Sequence, residues 1–173
     1  MQQDVLDSVR GGEVDFGVVI EPSSADDLQA ETILVDPFVL VVPADHALAG
    51  RQEVRWAELA ERPLVLLDHS SGSRRLIDDA LRAHGVVPRV AQQLGHPTTV
   101  FRMIEAGIGI GVMPALAAAP QALAPLRVLP LAPRVRRRVM LVHRRNRAPS
   151  PLAQRVWQLI AGVARAGAGT ATA

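Results

Sequence analysis

The 173-residue sequence contains no cysteine and no lysine, and only 3% of its residues are aromatic. Without cysteine the chain cannot form disulfides, use a thiolate nucleophile or build a cysteine-based zinc site. Its longest apolar runs, of about six to ten residues, are far shorter than the roughly 18 to 20 that cross a bilayer, so no membrane partner is expected. The first residues carry acids where a secretory signal has basic residues and an apolar core, which argues against export.

The remaining composition is that of a folded protein. Hydrophobic residues make up 49% of the chain and the mean hydropathy is +0.17, so the chain can bury a substantial core. Its length fits one domain built from two lobes.

Charge is distributed unevenly along the chain. Residues 1–105 carry all 17 acidic residues and nine arginines, a net charge of −8, whereas residues 106–173 carry ten arginines and no acidic residue, a net charge of +10. Basic runs can bind nucleic-acid phosphates without sequence preference, and this alternative stays open. No aromatic side chains are interleaved to stack on bases, so we interpret the clusters as solvated strand ends. Their members are Arg134, Arg136, Arg137, Arg138, Arg144, Arg145 and Arg147.

Strands and helices alternate in the predicted secondary structure. A first helix ends at Gly11-Gly12, where a left-handed cap is expected. The helix predicted from Arg74 to His84 has Ser73 as its expected N-cap, and Pro97 is placed at the first position of the next helix. Strands are predicted at 15–20, 64–68, 89–94, 108–113 and 138–143, and extended segments at 30–35, 37–42 and 128–131. The other predictions are a short helix at 56–61, a weak one at 115–123, a last helix from Pro151 and a disordered tail over 166–173.

This alternation predicts an α/β protein with mostly parallel central sheets covered by helices, because its strands are β-branched and buried. The predicted elements fall into two halves of the same kind, each a buried strand beside a helix. We therefore expect two lobes with a cleft between them, the place where a protein most often holds a small molecule.

Hydroxyl-bearing residues follow two of the predicted strands, at the starts of the helices that come next. Ligands bind at the carboxyl ends of parallel strands, where helix N-termini present N–H groups and a partial positive charge. Such a cluster suits a carboxylate or another small anion, although serine and threonine at these positions also act as ordinary helix caps. The candidate ligand-binding residues are Ser70, Ser71, Ser73, His96, Thr98 and Thr99.

Motifs for catalysis or cofactor binding are weak. Gly107-Ile108-Gly109-Ile110-Gly111 resembles a dinucleotide loop only superficially, because it follows a predicted helix and opens a strand, the reverse of that fingerprint. We interpret it as a helix cap and a tightly packed strand. The five histidines show no metal-binding spacing, and no nucleophile and base can be paired. No catalytic residue, metal or cofactor is predicted.

Four motifs occur in an order and spacing that resemble the effector-binding domain of LysR-type transcriptional regulators. They cover residues 12–18, 43–49, 56–60 and 106–114. The resemblance implies a type II periplasmic-binding-protein fold, with lobe I from residues 1–61 and 145–165 and lobe II from 62–144. It implies a cytoplasmic, dimeric or tetrameric regulator that binds a small, anionic or carboxylate-bearing metabolite in the cleft. It also assigns His46 to a structural turn.

The chain departs from this family pattern at its start. The winged helix-turn-helix that contacts promoter DNA in these regulators is not matched, and neither is the first strand, helix and strand of the effector domain. We therefore expect an N-terminally truncated chain whose strand 15–20 has a bare edge. Such a chain is expected to fold poorly or aggregate by itself.

Two other functions remain as alternatives. A stand-alone solute-binding protein of the same fold would need an export signal. A dehydratase-like enzyme on the same lobes would need a general acid, for which only Thr98 and Thr99 could serve.

Overall fold

The computed structural model describes residues 2–22, 26–118 and 125–170. The helices are α1 (Gln2–Gly11), α2 (Gly72–Ala83), α3 (Pro97–Glu105) and α4 (Pro151–Thr170), with a 3₁₀ turn at Trp56–Leu59. The strands are β1 (Phe16–Ile20), β2 (Leu28–Pro43), β3 (Val54–Arg55), β4 (Pro63–Leu67), β5 (Arg89–Leu94), β6 (Gly111–Pro114), β7 (Leu126–Ala132) and β8 (Arg136–Arg144). No helix within the described ranges is both long enough and apolar enough to cross a membrane.

The chain divides into two compact units. Unit 1 is Met1–Val35 with Arg138–Ala173, and unit 2 is Asp36–Arg137, so β2 and β8 each carry the chain from one unit into the other. These boundaries differ from the predicted lobes, 1–61 with 145–165 and 62–144. The reason lies in the cores: residues 36–61 supply side chains such as Phe38 and Trp56 to the core of unit 2, whereas Leu141 and Val142 belong to cores of unit 1.

Unit 1 is a small sheet with a helix on it. Strand β1 pairs antiparallel with β8, from Phe16 opposite His143 to Ile20 opposite Val139, and stands at the end of the strand order, where a bare edge is predicted. Helix α1 buries Leu6 and Val9 against β1 and β8. The helix ends at Gly11, and the next residue, Gly12, has a φ of 79° and forms the predicted left-handed cap.

Helix α4 completes unit 1. Ala161 is buried beside Ile33 and Leu141, and Trp157 packs at the margin of the same cluster. The helix continues to Thr170, five residues into the segment predicted to be disordered; residues 171–173 lie outside the described part of the chain.

Unit 2 contains the larger core. Strand β2 pairs antiparallel with β6 and with β7, while β3 pairs with β7 and β4 with β5 in parallel. The core side chains come from β2, β4, α2 and the 3₁₀ turn, with Phe38, Trp56, Leu64 and Ile77 all buried. The α/β class is thus confirmed, but every pair made by β1, β2 and β8 for which a register is defined is antiparallel, and the parallel pairs of these strands with a defined register are β3 with β7 and β4 with β5.

The two extended segments predicted at 30–35 and 37–42 form one continuous strand, β2. From the sequence, Asp36 indicates an interruption between the two segments, because an aspartate is costly to bury. In the structure it is only 2% exposed and its carboxylate forms an ion pair with Arg137 at 2.8 Å, so the strand continues through it. Of the weak helix predicted at 115–123, residues 115–118 form a turn and residues 119–123 lie outside the described part.

The predicted structural turn at His46 is present. The imidazole Nδ1 of His46 accepts the N–H of Leu48 at 3.2 Å, and the His46 carbonyl accepts the N–H of Ala49 at 2.8 Å. Burial lowers the pKa of His46, and the charge of Arg62 lowers it further, so the neutral ring that this hydrogen bond requires is favoured.

Candidate functional site

The carboxyl ends of β4 and β5 lie side by side in unit 2. The two strands are parallel, with Leu67 opposite Leu94, and the backbone N–H of Asp68 donates to the carbonyl of Leu94 at 2.9 Å. A helix follows each strand, α2 after Ser71 and α3 after His96. The loops that carry the predicted site residues therefore start from one edge of one sheet, as the sequence predicts.

The buried side chain of Arg74 connects the two strands at this edge. Its side chain is 4% exposed, and its guanidinium donates to the carbonyl of Leu67 at 2.7 Å and to the side-chain oxygen of Gln93 at 3.1 Å. Asp78, one turn along α2, accepts from Nε at 2.9 Å and balances the charge. Arg74 thereby joins the last residue of β4, the end of β5 and the first turn of α2.

The N-cap of α2 is Ser71, not Ser73 as predicted. The Ser71 hydroxyl accepts the N–H of Ser73 at 3.3 Å, and Ser71 has the extended backbone of a cap residue. Ser73 lies inside the helix and is 1% exposed, and its hydroxyl accepts from Arg137 Nη1 at 2.8 Å. The sequence offers three serines within four residues, and propensity does not distinguish which of them faces the core.

The start of α3 has the predicted form. His96 is the extended residue before the helix, Pro97 occupies its first turn, and the N–H groups of Thr99 and Val100 point back to the carbonyl of His96. Thr98, Thr99 and His96 are exposed, as is Ser70, and Ser71 is partly exposed. Five of the six predicted residues thus lie on accessible loops or helix starts at this edge, and Ser73 does not.

Asp68, a residue that sequence reasoning passed over, is the first residue after β4. Its Oδ1 accepts from both the hydroxyl and the N–H of Ser70, at 2.6 and 2.9 Å. These two hydrogen bonds hold the pKa of the Asp68 carboxyl below its ordinary value, and the bond from the hydroxyl has the larger effect. The carboxylate also lies against Gly95, where an added Cβ would come within 3.3 Å of Oδ2. The one signal for Asp68 in the sequence is its position as an acidic residue at the end of a predicted strand.

Removal of the Ser70 hydroxyl is expected to raise the pKa of Asp68 toward the ordinary aspartate value of about 3.9, because the ionised form loses a donor. The stability that Ser70 confers is present above that ordinary value and lost as the pH falls through the depressed one. A carboxyl-carbon NMR titration of Ser70→Ala checks this. Ser150→Ala, which removes a hydroxyl at the start of α4, is the control and should leave Asp68 unchanged.

The edge can bind polar ligands through hydroxyls and backbone N–H groups, and it has no arrangement typical of a metal centre. Among the residues in the described ranges, no three His, Asp or Glu side chains are close enough to hold a metal ion together. Helices of 12 and 9 residues start here, so both carry the partial positive charge of a helix N-terminus.

Comparison with known proteins identifies the family. The family model of the LysR substrate binding domain matches residues 1–165. The HTH-type transcriptional regulator YfeR of Shigella flexneri is 46% identical over 159 residues, which are 92% of this chain and 52% of that protein. The chain thus spans about half the length of this curated relative.

Solved structures agree on the fold. The C-terminal domain of a probable LysR family regulator from Rhodococcus sp. RHA1 is 27% identical, with a TM-score of 0.83 over 92% of this chain and 80% of that one. The CcmR regulatory domain of Synechocystis PCC6803, solved in complex with 2-PG, is 23% identical, with a TM-score of 0.85 over 94% of this chain and 79% of that one. The resemblance and the type II periplasmic-binding-protein-like fold are confirmed, and the chain belongs to the LysR substrate-binding domain family.

Proposed function

We propose that this chain binds a small anionic effector, of the carboxylate class, at the paired ends of β4 and β5. The effector would contact Ser70, Ser71, Thr98, Thr99 and His96, while Ser73 positions α2 from within. The observation that carries the proposal is the Asp68 N–H to Leu94 carbonyl bond, since it sets two helix starts at one edge of one sheet.

The chemistry of the edge supports an anion in two ways. The N-termini of α2 and α3 carry a partial positive charge, which favours a negative group by up to about 1 kcal/mol each at an exposed site. The hydroxyls of Ser71 and Thr98 supply donors; Ser71 uses its oxygen as the helix cap and keeps its proton for a ligand. The CcmR regulatory domain, which shares this fold, was solved in complex with the small molecule 2-PG.

Asp68 determines how the sign of the ligand charge can be tested. Arg74 is balanced by Asp78, so the Asp68 carboxylate is a negative charge at the edge itself, softened by its two bonds from Ser70. An anion bound here would be repelled by Asp68, and a cation would be attracted. Asp68→Asn therefore should tighten the binding of an anion and weaken that of a cation.

We expect Ser71→Ala and Thr98→Ala each to weaken effector binding about tenfold, equivalent to about 1.4 kcal/mol, because each removes a donor to a charged group. Isothermal titration calorimetry with acetate, succinate, citrate and benzoate measures this, and the tightest ligand is then used for all variants. Asp68→Asn should bind that ligand severalfold more tightly.

Ser150→Ala is the matched control for lost helix capping. The Ser150 hydroxyl accepts the N–H of Ala153 at the start of α4, in unit 1, so its loss weakens a helix without touching the proposed site. Unchanged affinity in both Ser71→Ala and Thr98→Ala would remove these residues from the site. Weaker binding by Asp68→Asn would contradict an anionic ligand.

In the whole protein, effector binding would control transcription. The 46% identical relative is an HTH-type transcriptional regulator, and this chain spans about half of it, so promoter DNA would be contacted through a helix-turn-helix outside residues 1–173. Such a protein would act in the cytoplasm as a homo-oligomer. An effector that binds one conformation more tightly than another can shift that equilibrium by its difference in affinity, typically about 1 to 3 kcal/mol. A sensor needs no turnover, and the relatives named above are transcriptional regulators.

A further inference from the structure

A cavity of about 280 Å³ lies in unit 1, apart from the edge of β4 and β5. Its volume is near the lower end of the range of small-molecule pockets, so it suits a ligand with a single ring. Residues of β2, β8, α4 and the segment just before α4 line it. None of them is a candidate residue of the effector site.

Glutamine side chains supply most of the polar groups of this cavity. Gln29 comes from β2, and Gln154 and Gln158 lie one turn apart on α4, so they share one face of the helix. Nε2 of Gln154 donates to the carbonyl of Pro149 at 3.0 Å, which leaves its oxygen and one N–H for a ligand. The side-chain amides of Gln29 and Gln158 have no hydrogen-bond partner within the described part of the chain. The lining therefore offers donors and acceptors side by side.

The indole of Trp157 forms an apolar wall that is fixed in one orientation. Its Nε1 donates to Glu31 Oε2 at 2.7 Å, so this carboxylate is engaged with the ring. The indole also makes edge-to-face contacts with His143 at 5.3 Å and with Phe16 at 5.7 Å between centroids. Pro149 adds a second apolar ring to the lining. A wall held in this way requires little ordering when a ligand arrives.

The mixed lining determines which ligand chemistry fits. An ammonium group only donates and a carboxylate only accepts, so either ion would leave one half of each amide group unmatched. A hydroxyl group both donates and accepts, and it can bond to the N–H of one amide and to the oxygen of another. A saturated ring with several hydroxyls presents such groups around its rim and C–H groups on its faces, which can pack against an indole.

We propose that this cavity binds a neutral cyclic polyol, the chemical class of monosaccharides and cyclitols. The amides of Gln29, Gln154 and Gln158 bond to hydroxyls at the rim of the ligand, and Trp157 and Pro149 contact its C–H groups. Every residue involved belongs to unit 1, so this site is independent of the effector site proposed in unit 2.

Tryptophan emission provides a direct test. The chain has two tryptophans and no tyrosine, and Trp56 is buried in unit 2, so Trp157→Phe separates the two signals. Titration of the full chain with myo-inositol should give a saturable change in emission that disappears in Trp157→Phe. Cyclohexanol and cyclohexylamine have the same carbon ring with one hydroxyl or one ammonium group, and neither should give a saturable change.

Gln29→Met and Gln158→Met keep the length of the side chain and remove its donors and acceptor. Each should weaken the binding of myo-inositol about tenfold, measured by calorimetry, because each loses hydrogen bonds to the ligand. Gln3→Met, which replaces an exposed glutamine of α1 in the same unit, is the matched control and should bind as the parent does.

Three results would overturn the proposal. One is the absence of saturation by myo-inositol. Another is equally tight binding of cyclohexanol or cyclohexylamine, since apolar contact or charge would then account for the affinity. The third is an undiminished affinity for myo-inositol in both Gln29→Met and Gln158→Met.

Discussion

Replacement of Arg137 by methionine is expected to lower the free energy of unfolding of unit 2 by about 3 to 5 kcal/mol. Asp36 is 2% exposed, and Arg137 meets it through both Nε and Nη2 at 2.8 Å. Without the guanidinium, the carboxylate would keep only the N–H of Leu116, at 3.1 Å, as a hydrogen-bond donor seen in the structure. A buried charge left in that state is far costlier than the pair is stabilising, because both members already gave up their hydration.

Urea unfolding followed by Trp56 emission, in a Trp157→Phe background, measures this loss within unit 2. Asp36→Asn should cost less than Arg137→Met, because an amide carries no charge and can still accept the N–H of Leu116. The loss of unfolding free energy in the double variant should be smaller than the sum of the losses in the two single variants. In each single variant one charged side chain stays buried without its partner, whereas the double variant contains neither charge.

Arg82→Met is the matched control within unit 2. Arg82 pairs with Asp79 at 2.8 Å but its side chain is 74% exposed, so its loss should cost no more than about 1 kcal/mol. Similar losses for Arg137→Met and Arg82→Met would mean that the Asp36 carboxylate is hydrated and that the pair is not buried.

Arg137 also shows why part of the site lay beyond sequence reasoning. In the sequence it belongs to a run of four arginines within five residues, which looks like a solvated strand end. The structure pairs it with Asp36, 101 residues away, and with Ser73, 64 residues away. No local periodicity or capping preference reports on contacts at such separations. The same holds for Glu31 and Trp157, which are 126 residues apart.

Local signals were reliable where local physics determines the structure. Proline at the first turn of α3 and glycine in the left-handed region after α1 were predicted from the conformations that these residues favour, and both are present. The N-cap of α2 shows the limit of such local rules, because Ser73 was predicted and Ser71 is the cap. Both serines satisfy the local rule, and the choice between them depends on the core and on Arg137.

The segment from Gly107 to Gly111 behaves as the predicted cap and tightly packed strand, although β6 begins only at Gly111. Gly107 has a φ of 75° at the end of α3. Gly109 faces the backbone of Pro63, the first residue of β4: an added Cβ would lie 2.3 Å from the Pro63 oxygen and 2.9 Å from its carbonyl carbon. The flanking backbone is bonded to the same strand, because Ile110 donates to Pro63 and accepts from Val65, both at 2.9 Å.

Gly109→Ala is therefore expected to destabilise unit 2 by about 3 kcal/mol or more, at the upper end of the cost of inserting a methyl group into a packed interior. Relief requires a shift of either backbone, and any shift that separates them also lengthens the two hydrogen bonds made by Ile110. A flexible side chain could move aside, but a strand within a hydrogen-bonded sheet cannot do so cheaply. Urea unfolding with Trp56 emission measures the change.

Two other glycines separate steric cost from conformational cost. An added Cβ meets nothing within 4 Å at Gly107 or at Gly50, but Gly107 has a positive φ and Gly50 does not. Gly107→Ala should thus cost about 1 to 2 kcal/mol, the penalty of an L-residue in the left-handed region, and Gly50→Ala should change stability by less than about 0.5 kcal/mol. The expected order of destabilisation is Gly109, Gly107, Gly50. If Gly109→Ala were no worse than Gly107→Ala, the backbone of Pro63 would not lie against Gly109, and the packing of this segment on β4 would have to be abandoned.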